Sequence, residues 1–285
     1  MDDGLDLDLL RTFIVIAETG ALSRAAIRVG RTQAAISLQV KRLERTAGQV
    51  LLERTGRGVL LTPHGIRLLA HAQRILQYHD EALAEVSGKG LTGTIRFGCP
   101  DDYAVVMLPQ LLRGFAREHP KVLVEVHCAH TPRLLERLDR HQLDLALTSF
   151  AEDAQGVTVI RREPLVWVSA VGSNAPNRRP LRLALSDSDT LDHRAARRGL
   201  EAARRAYRVA YASASLTGLI AVARSGQAIA VLTRTAVPDD LRILTAESGL
   251  PQLPNVGIAL TIDSEQPSAV VRAFAEHVRT VLPTI

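Results

Sequence analysis

The stretch Leu22–Leu61, LSRAAIRVGRTQAAISLQVKRLERTAGQVLLERTGRGVLL, decides how the rest of the chain is read. Ser23 stands where an N-cap should, ahead of a short helical pattern to Val29 that turns Ala25, Ala26 and Val29 inward. Gly30 ends that pattern, as glycine just past a helix does. Thr32 then caps a second helix, from Gln33 to about Thr46, with Ala35, Ile36, Val40 and Leu43 at helical spacing. Two short helices joined by a glycine turn make a helix-turn-helix. Beyond it, Leu51-Leu52 and Val59-Leu60-Leu61 flank the turn Glu53-Arg54-Thr55-Gly56-Arg57-Gly58, which reads as a hairpin wing.

Charge supports a nucleic-acid partner. Residues 20–60 hold eight basic side chains (Arg24, Arg28, Arg31, Lys41, Arg42, Arg45, Arg54, Arg57) against Glu44 and Glu53, a local balance of +6. Such a unit gains affinity by releasing counterions from phosphates. The outward face of the second helix presents Gln33, Ala34, Ser37 and Lys41, short enough to enter a major groove. Glutamine can pair bidentately with an adenine edge, while serine reads edges more loosely. Arg54 and Arg57 at the wing suit phosphate or minor-groove contact. A merely solvated helical face is the plainer alternative, but the caps, Gly30 and the charge bias agree on DNA.

The runs LDLLRTFIVIAETGALSRAAIRVGRTQAAISLQVKRLE (from Leu7) and LLERTGRGVLLTPHG (from Leu51) resemble the winged helix-turn-helix of LysR-type transcriptional regulators. DLDLLRTF, RTQAAISLQVKRLE and REPLVWV are similar in particular to the branch that includes the LrhA/HexA/PecT regulators. The likeness covers essentially the whole chain. It implies phosphate contacts from Ser23 and Thr32, with Arg24 and Arg31 alongside, and base-edge contacts from Gln33, Ser37 and Lys41. Two departures bear on operator sequence. Leu38 stands where many relatives carry Arg, which removes a possible guanine contact, and Leu52 replaces the usual Phe of the wing.

The remaining chain bounds the class. Its 285 residues suggest two domains, and 46% hydrophobic with 23% charged residues is a globular composition. The net charge of +5 allows nucleic acid without proving it. Met1-Asp2-Asp3 is acidic where a signal peptide needs positive charge, and no apolar run of about 18 residues exists, so a soluble cytoplasmic protein without a membrane span is expected. Cys99 and Cys128 cannot make a disulfide framework. They end two strands expected to be neighbours, so a thiol switch is conceivable, although such cysteines are usually small buried apolar residues.

Before the key stretch, Leu7–Glu18 carries Leu9, Leu10, Phe13, Ile14 and Ala17 at helical spacing, a first helix packing under the pair. After it, Thr62-Pro63 opens a helix to Ser87. Along that helix Gly65, Leu69, Ala72, Leu76, His79, Leu83 and Val86 form a heptad seam, long enough to dimerise. A helix packed on its own domain is the alternative. Dimerisation through Leu69, Ala72, Leu76, Leu83 and Val86 is favoured because one helix-turn-helix covers only a half-site. The resemblance implies the same pairing helix, with tetramers common, and RNA polymerase as a further partner.

Residues 87–93 (SGKGLTG) mark a hinge. The expected domains are therefore 1–61, the winged helix-turn-helix; 62–90, the linker helix and hinge; and 91–285. The last segment alternates short apolar runs with helical patterns, an α/β array. Val157–Arg162 and Leu165–Ala170 read as separate strands, and Val256–Ile262 as a late strand. The resemblance implies two lobes of periplasmic-binding-protein type, with a chain that returns to the first lobe and an effector between them.

Ligands of open α/β sheets bind beyond the carboxyl ends of strands. That rule selects Cys99, Pro100, Asp101, Asp102 and Tyr103; Thr148, Ser149 and Phe150; Ser213 to Thr217 with Ser215; and Thr233-Arg234. Asp101 and Asp102 could take an amine or hydroxyl, although helix capping is the plainer role for at least one. Ser213 and Ser215 could meet a carboxylate or simply cap. The arginines between Arg194 and Arg208 lie among Asp187, Asp189, Asp192 and Glu201, as on an exposed ion-paired helix. No GxSxG, Walker loop, HExxH or CxxC occurs, and the nine histidines lack ligand spacing, so no enzyme, metal or cofactor is expected. The expected function is a DNA-binding regulator tuned by an unidentified small-molecule effector. The alternative is a metabolite-binding protein with an accessory N-terminal domain.

Overall fold

In the computed structural model, residues 4–56, 58–87, 90–264 and 266–285 are described. The chain divides into two compact units, residues 1–94 with 140–142, and residues 95–139 with 143–285.

The first unit opens with α1 (Leu7–Thr19), capped by Asp6, whose carboxylate accepts the Asp8 N–H at 2.8 Å. Next come α2 (Leu22–Arg28), α3 (Gln33–Ala47), the hairpin β1 (Leu52–Thr55) and β2 (Gly58–Leu61), and the long α4 (Pro63–Val86). Leu10, Phe13, Ile16 and Ile36 are buried to 1% exposure or less. Each such side chain contributes about 1.5–3 kcal/mol by leaving water. Leu9, Leu10 and Phe13 of α1 pack with Leu43, Leu51, Ala72 and Leu76 in one cluster, so α1 and α4 are the walls of a single core. Arg11 of α1 reaches Asp80 of α4 at 2.8 Å.

That packing corrects the continuous pairing seam expected on α4. Ala72 and Leu76 are spent inside the chain, and Leu69 packs partly on the same cluster. Only the last turns keep the seam open, with Leu83 57% and Val86 90% exposed. A heptad stripe cannot distinguish a partner's helix from the chain's own α1, because either surface satisfies the same period.

The second unit begins with β3 (Gly93–Cys99), α5 (Asp101–Val106), α6 (Leu108–Glu118), β4 (Val122–Cys128), α7 (Thr131–Asp139) and β5 (Leu145–Ala151). It continues with β6 (Val159–Ala170), β7 (Leu181–Leu185), α8 (Leu191–Ala202), β8 (Tyr207–Ala212), α9 (Leu216–Arg224) and β9 (Ile229–Thr233). It ends with β10 (Leu241–Ile243), β11 (Asn255–Ile262) and α10 (Ala269–Val281). The sheet runs β4-β3-β5-β11-β6-β9-β7-β8, with β10 also on β6.

Where two strands were expected, β6 is one. Its first half pairs with β11 as far as Pro164, opposite Asn255, and its second half pairs with β9 from Leu165, opposite Thr233. Pro164 lies where the strand changes partner, a point that tolerates the missing N–H. β6 thus carries the chain from the first lobe to the second, and β11 brings it back to lie between β5 and β6. The expected two lobes with a returning chain are present. Separate clusters around Trp167 and Leu183, and around Val168 and Ala230, form the core of the second lobe.

Candidate nucleic-acid interface and ligand cleft

The turn of the helix-turn-helix is set by Gly30 at φ +65°, a conformation that costs a side-chain-bearing residue energy. Thr32 follows as the cap of α3, its hydroxyl accepting the Ala35 N–H at 3.2 Å. Burial of Ile36, Val40 and Leu43 turns the opposite face of α3 to solvent. Gln33, Ala34, Leu38 and Lys41 are exposed there and Ser37 is half-buried, as the spacing required. Leu38 is 69% exposed, a large apolar side chain with nothing of its own unit to cover it.

Ser23 is not the cap of α2. The helix starts one residue earlier, with Leu22 buried and Ala21 in the extended cap position, where no side chain bonds the helix. Ser23 is an exposed residue of the first turn. Arg24 folds back, its guanidinium donating to the Thr19 carbonyl at the end of α1, and Arg28 pairs with Glu18 at 2.7 Å. Arg31, Lys41 and Arg54 are exposed and form no ion pair among the described residues. Arg57 lies outside the described residues.

Two anchors hold the wing. The Val59 N–H donates to the Gly20 carbonyl at 2.9 Å, and the approach is so close that a Cβ at Gly58 would stand 2.2 Å from that oxygen. Glu44 of α3 accepts the N–H groups of Leu51 at 2.9 Å and Leu52 at 3.4 Å, tying the base of the wing to α3. The sequence reading counted Glu44 only as an acid. An acceptor seven residues ahead of its donors leaves no local signature.

The second unit holds a cavity of about 570 Å³ at the carboxyl ends of its strands. Pro100, Asp101, Asp102, Ser149 and Thr233 line it as expected. Cys99, Thr148, Ser213 and Ser215 do not. Cys99 is fully buried beneath the loop, and Thr148 turns away to the hydroxyl of Thr261 at 2.8 Å. The Ser213 hydroxyl accepts the Ser215 N–H within its own turn, and Ser215 caps α9 by accepting from Gly218. From that helix the cavity receives Leu216 and Leu219 instead. Neither Asp101 nor Asp102 caps α5, since Pro100 takes that position.

Several lining residues escaped the sequence reading: His130 just ahead of α7 and Thr131 at its first position, and Ser186, Asp189, Thr190, Asp192 and Arg194 around the start of α8. Tyr103 joins Ser149 hydroxyl to hydroxyl at 2.7 Å, and Thr131 accepts the Ser149 N–H at 2.8 Å. Asp102 accepts the Thr233 hydroxyl at 3.0 Å, a bond from the first lobe to the end of β9 in the second. Burial raises the Asp102 carboxyl to about 6 against the Thr233 bond, with the nearby Asp192 charge adding to the rise. Burial likewise raises the Cys99 thiol well above its usual range. Cys128 is exposed, and burial of its sulfur followed by the charge of Asp101 raises its thiol. Raised thiols favour the inert protonated form. Among the described residues no group of three or more His, Cys, Asp or Glu could hold a metal ion. Among the described residues no helix is long and apolar enough to cross a membrane.

A basic winged helix-turn-helix, a linker helix and a two-lobed α/β unit with a ligand-sized cleft make up the architecture of a DNA-binding transcription regulator. Residues 7–66 match the bacterial regulatory helix-turn-helix protein family of LysR type, and residues 88–283 match the LysR substrate binding domain. The chain belongs to the LysR family of DNA-binding transcriptional regulators, not to a class of enzymes. It is 59% identical over 281 residues to the HTH-type transcriptional regulator DgdR of Burkholderia cepacia, covering 99% of this chain and 96% of that one. It is 32% identical over 282 residues to PecT of Dickeya dadantii, covering 98% and 89%. ArgP from Mycobacterium tuberculosis shares the fold at 21% identity, TM-score 0.71 and 97% coverage of both chains. So does CbnR, solved with its target DNA, at 22% identity, TM-score 0.66 and coverage of 97% and 99%. The alternative of a metabolite-binding protein with an accessory N-terminal domain therefore falls.

Proposed function

We propose that this chain is a cytoplasmic regulator that reads an operator as a homo-oligomer and is tuned by a small molecule in the cleft of its second unit. Gln33, Ser37 and Lys41 read base edges in the major groove. Thr32, Arg31 and Ser23 meet phosphates at the start of the helices, Arg24 supports them, and Arg54 with Arg57 anchors the wing. Ala34 and Leu38 supply apolar contact on the same face. The exposed end of α4, with Leu83 and Val86, is the surface left for pairing two chains on a palindromic site, and pairs of pairs make the tetramer. RNA polymerase is the partner through which a regulator bound upstream would act.

The observation that carries the effector reading is the cleft itself. It draws its walls from both lobes, and β6 is the strand on which they join, with the Asp102–Thr233 bond crossing between them. A ligand that binds one lobe arrangement better than another shifts the population, and with it the spacing of paired DNA heads. DNase footprinting on the chain's own upstream DNA, repeated with a metabolite library, tests this coupling. A ligand-dependent change in footprint length or bend supports it. An unchanged footprint with ligands shown by calorimetry to bind overturns it.

A further inference from the structure

Four carboxylates face this cavity from opposite sides: Asp101 and Asp102 on α5 of the first lobe, and Asp189 and Asp192 at the start of α8 in the second. None of the four is in an ion pair among the described residues. Among the described residues Arg194 is the one arginine or lysine on the wall, and it is exposed. Asp102 and Asp192 are close enough for their like charges to be felt across the cleft.

We propose that the cleft takes a small organic cation, a primary ammonium group on an apolar stem, with Asp102 as its principal counter-charge and Asp192 facing it from the other lobe. The inference rests on the reading of the cavity as the effector site and names the chemical class of its ligand. Asp102 and Asp192 accept hydroxyl hydrogen bonds from Thr233 and Ser186, but none of the four carboxylates has a cationic partner among the described residues; an anion would add to their charge and a neutral molecule would leave it without a counter-charge. An ammonium neutralises them and offers three N–H donors with no acceptor. The wall also holds the buried Nε2 of His130 without a hydrogen-bond partner. In the tautomer protonated at Nδ1 that nitrogen is an acceptor, which suits an N–H donor. Leu135, Phe150, Leu165, Leu216 and Val231 line the rest and give the stem its apolar seat. Because the carboxylates come from both lobes, the same charge that binds the ligand draws the lobes together.

The test is thermal unfolding and calorimetric titration of the full chain at pH 7.5 with three isosteric sets of probes. Isobutyl, isopentyl and benzyl frames are each supplied as ammonium, alcohol and carboxylate. The expected result is a saturable rise in Tm with an ammonium member and none with its alcohol or carboxylate. Asp102→Asn keeps the fold and the Thr233 bond, yet weakens ammonium binding roughly tenfold or more, as loss of a charged hydrogen-bond partner implies. Asp192→Asn is a second variant outside α5 and weakens it by a smaller factor. Binding of carboxylates in preference to ammoniums overturns the cation assignment while the cleft remains the effector site. Absence of binding by every ammonium frame overturns the cation assignment too. A wider neutral and anionic library that also fails to bind then counts against the cleft as an effector site at all.

Discussion

The two functional surfaces are built from the sequence in opposite ways. The face proposed to read DNA is local: Thr32, Gln33, Ser37 and Lys41 lie within ten residues, and one helix with its cap sets their geometry. The cleft is assembled from positions 100 to 256, contributed by α5, α7, β5, β6, α8, α9, β9 and β11. The electrostatics differ as well. The first surface exposes unpaired positive charge to solvent, whereas the second partly buries negative charge and raises a carboxyl to hold it. Local surfaces can be read, and altered, one residue at a time. Assembled ones depend on the fold.

The largest expected effect tests whether the local surface still depends on its own core. Leu10→Ala removes a fully buried side chain between α1 and α4 and lowers the stability of the first unit by about 2–5 kcal/mol, read by calorimetry. A loss of a few tenths would mean that the cluster around Phe13 is not the support of the DNA-reading pair. Next, Asp102→Asn stabilises the second unit by up to about 3 kcal/mol at pH 7–8, because it removes a carboxyl that burial has raised to about 6. The sign follows from the raised folded value. The Asp102 contribution is favourable below the unfolded value of 3.8 and is lost as pH rises through about 6, so the variant's advantage appears across that window and vanishes below it. Asp101 and Tyr103 on α5, His130 ahead of α7, and Asp189, Asp192 and Arg194 around α8 line the same cavity. A stability difference that ignores pH between 4 and 7 would break the contrast between the two surfaces.

Gln33→Ala is expected to relax preference at one base pair by about 1–3 kcal/mol and leave affinity for random DNA unchanged, as read from binding to single-base operator variants. Arg54→Ala should weaken binding to all sequences alike and reduce the salt slope by about 1. An exchange of these two phenotypes would show that the register of α3 has been misassigned. The smallest effect is Thr32→Ala, which removes the α3 cap and costs about 0.5–2 kcal/mol of stability by denaturant titration.

Legibility in the sequence followed the same divide. The α3 cap, the break at Gly30 and the inward face of Ile36, Val40 and Leu43 were readable because each signal sits within a turn or two of its effect. Ser23 misled because a good capping residue one position inside the helix looks identical to one at the cap; Leu22, buried, set the start instead. On α4 the period was right and the partner was wrong for Ala72 and Leu76, since α1 supplies the apolar surface that the stripe demands. In the second unit the strand-end rule found Asp101, Asp102, Ser149 and Thr233, yet it chose Ser213 and Ser215, whose hydroxyls are consumed within their own turn. It missed Asp189, Asp192 and His130, because which loops converge depends on β6 changing partner at Pro164 and on the return of β11. Nothing within reach of those residues in sequence encodes that convergence.

The most direct test of the account is binding of the full chain to its own upstream DNA and to a shuffled sequence of equal composition, across a salt series. Affinity is expected to fall steeply with salt on both DNAs, with preference for the upstream sequence kept at every salt, as phosphate contacts setting the slope and the proposed base contacts of Gln33, Ser37 and Lys41 setting the preference would require. Equal binding to the two DNAs at every salt would contradict it.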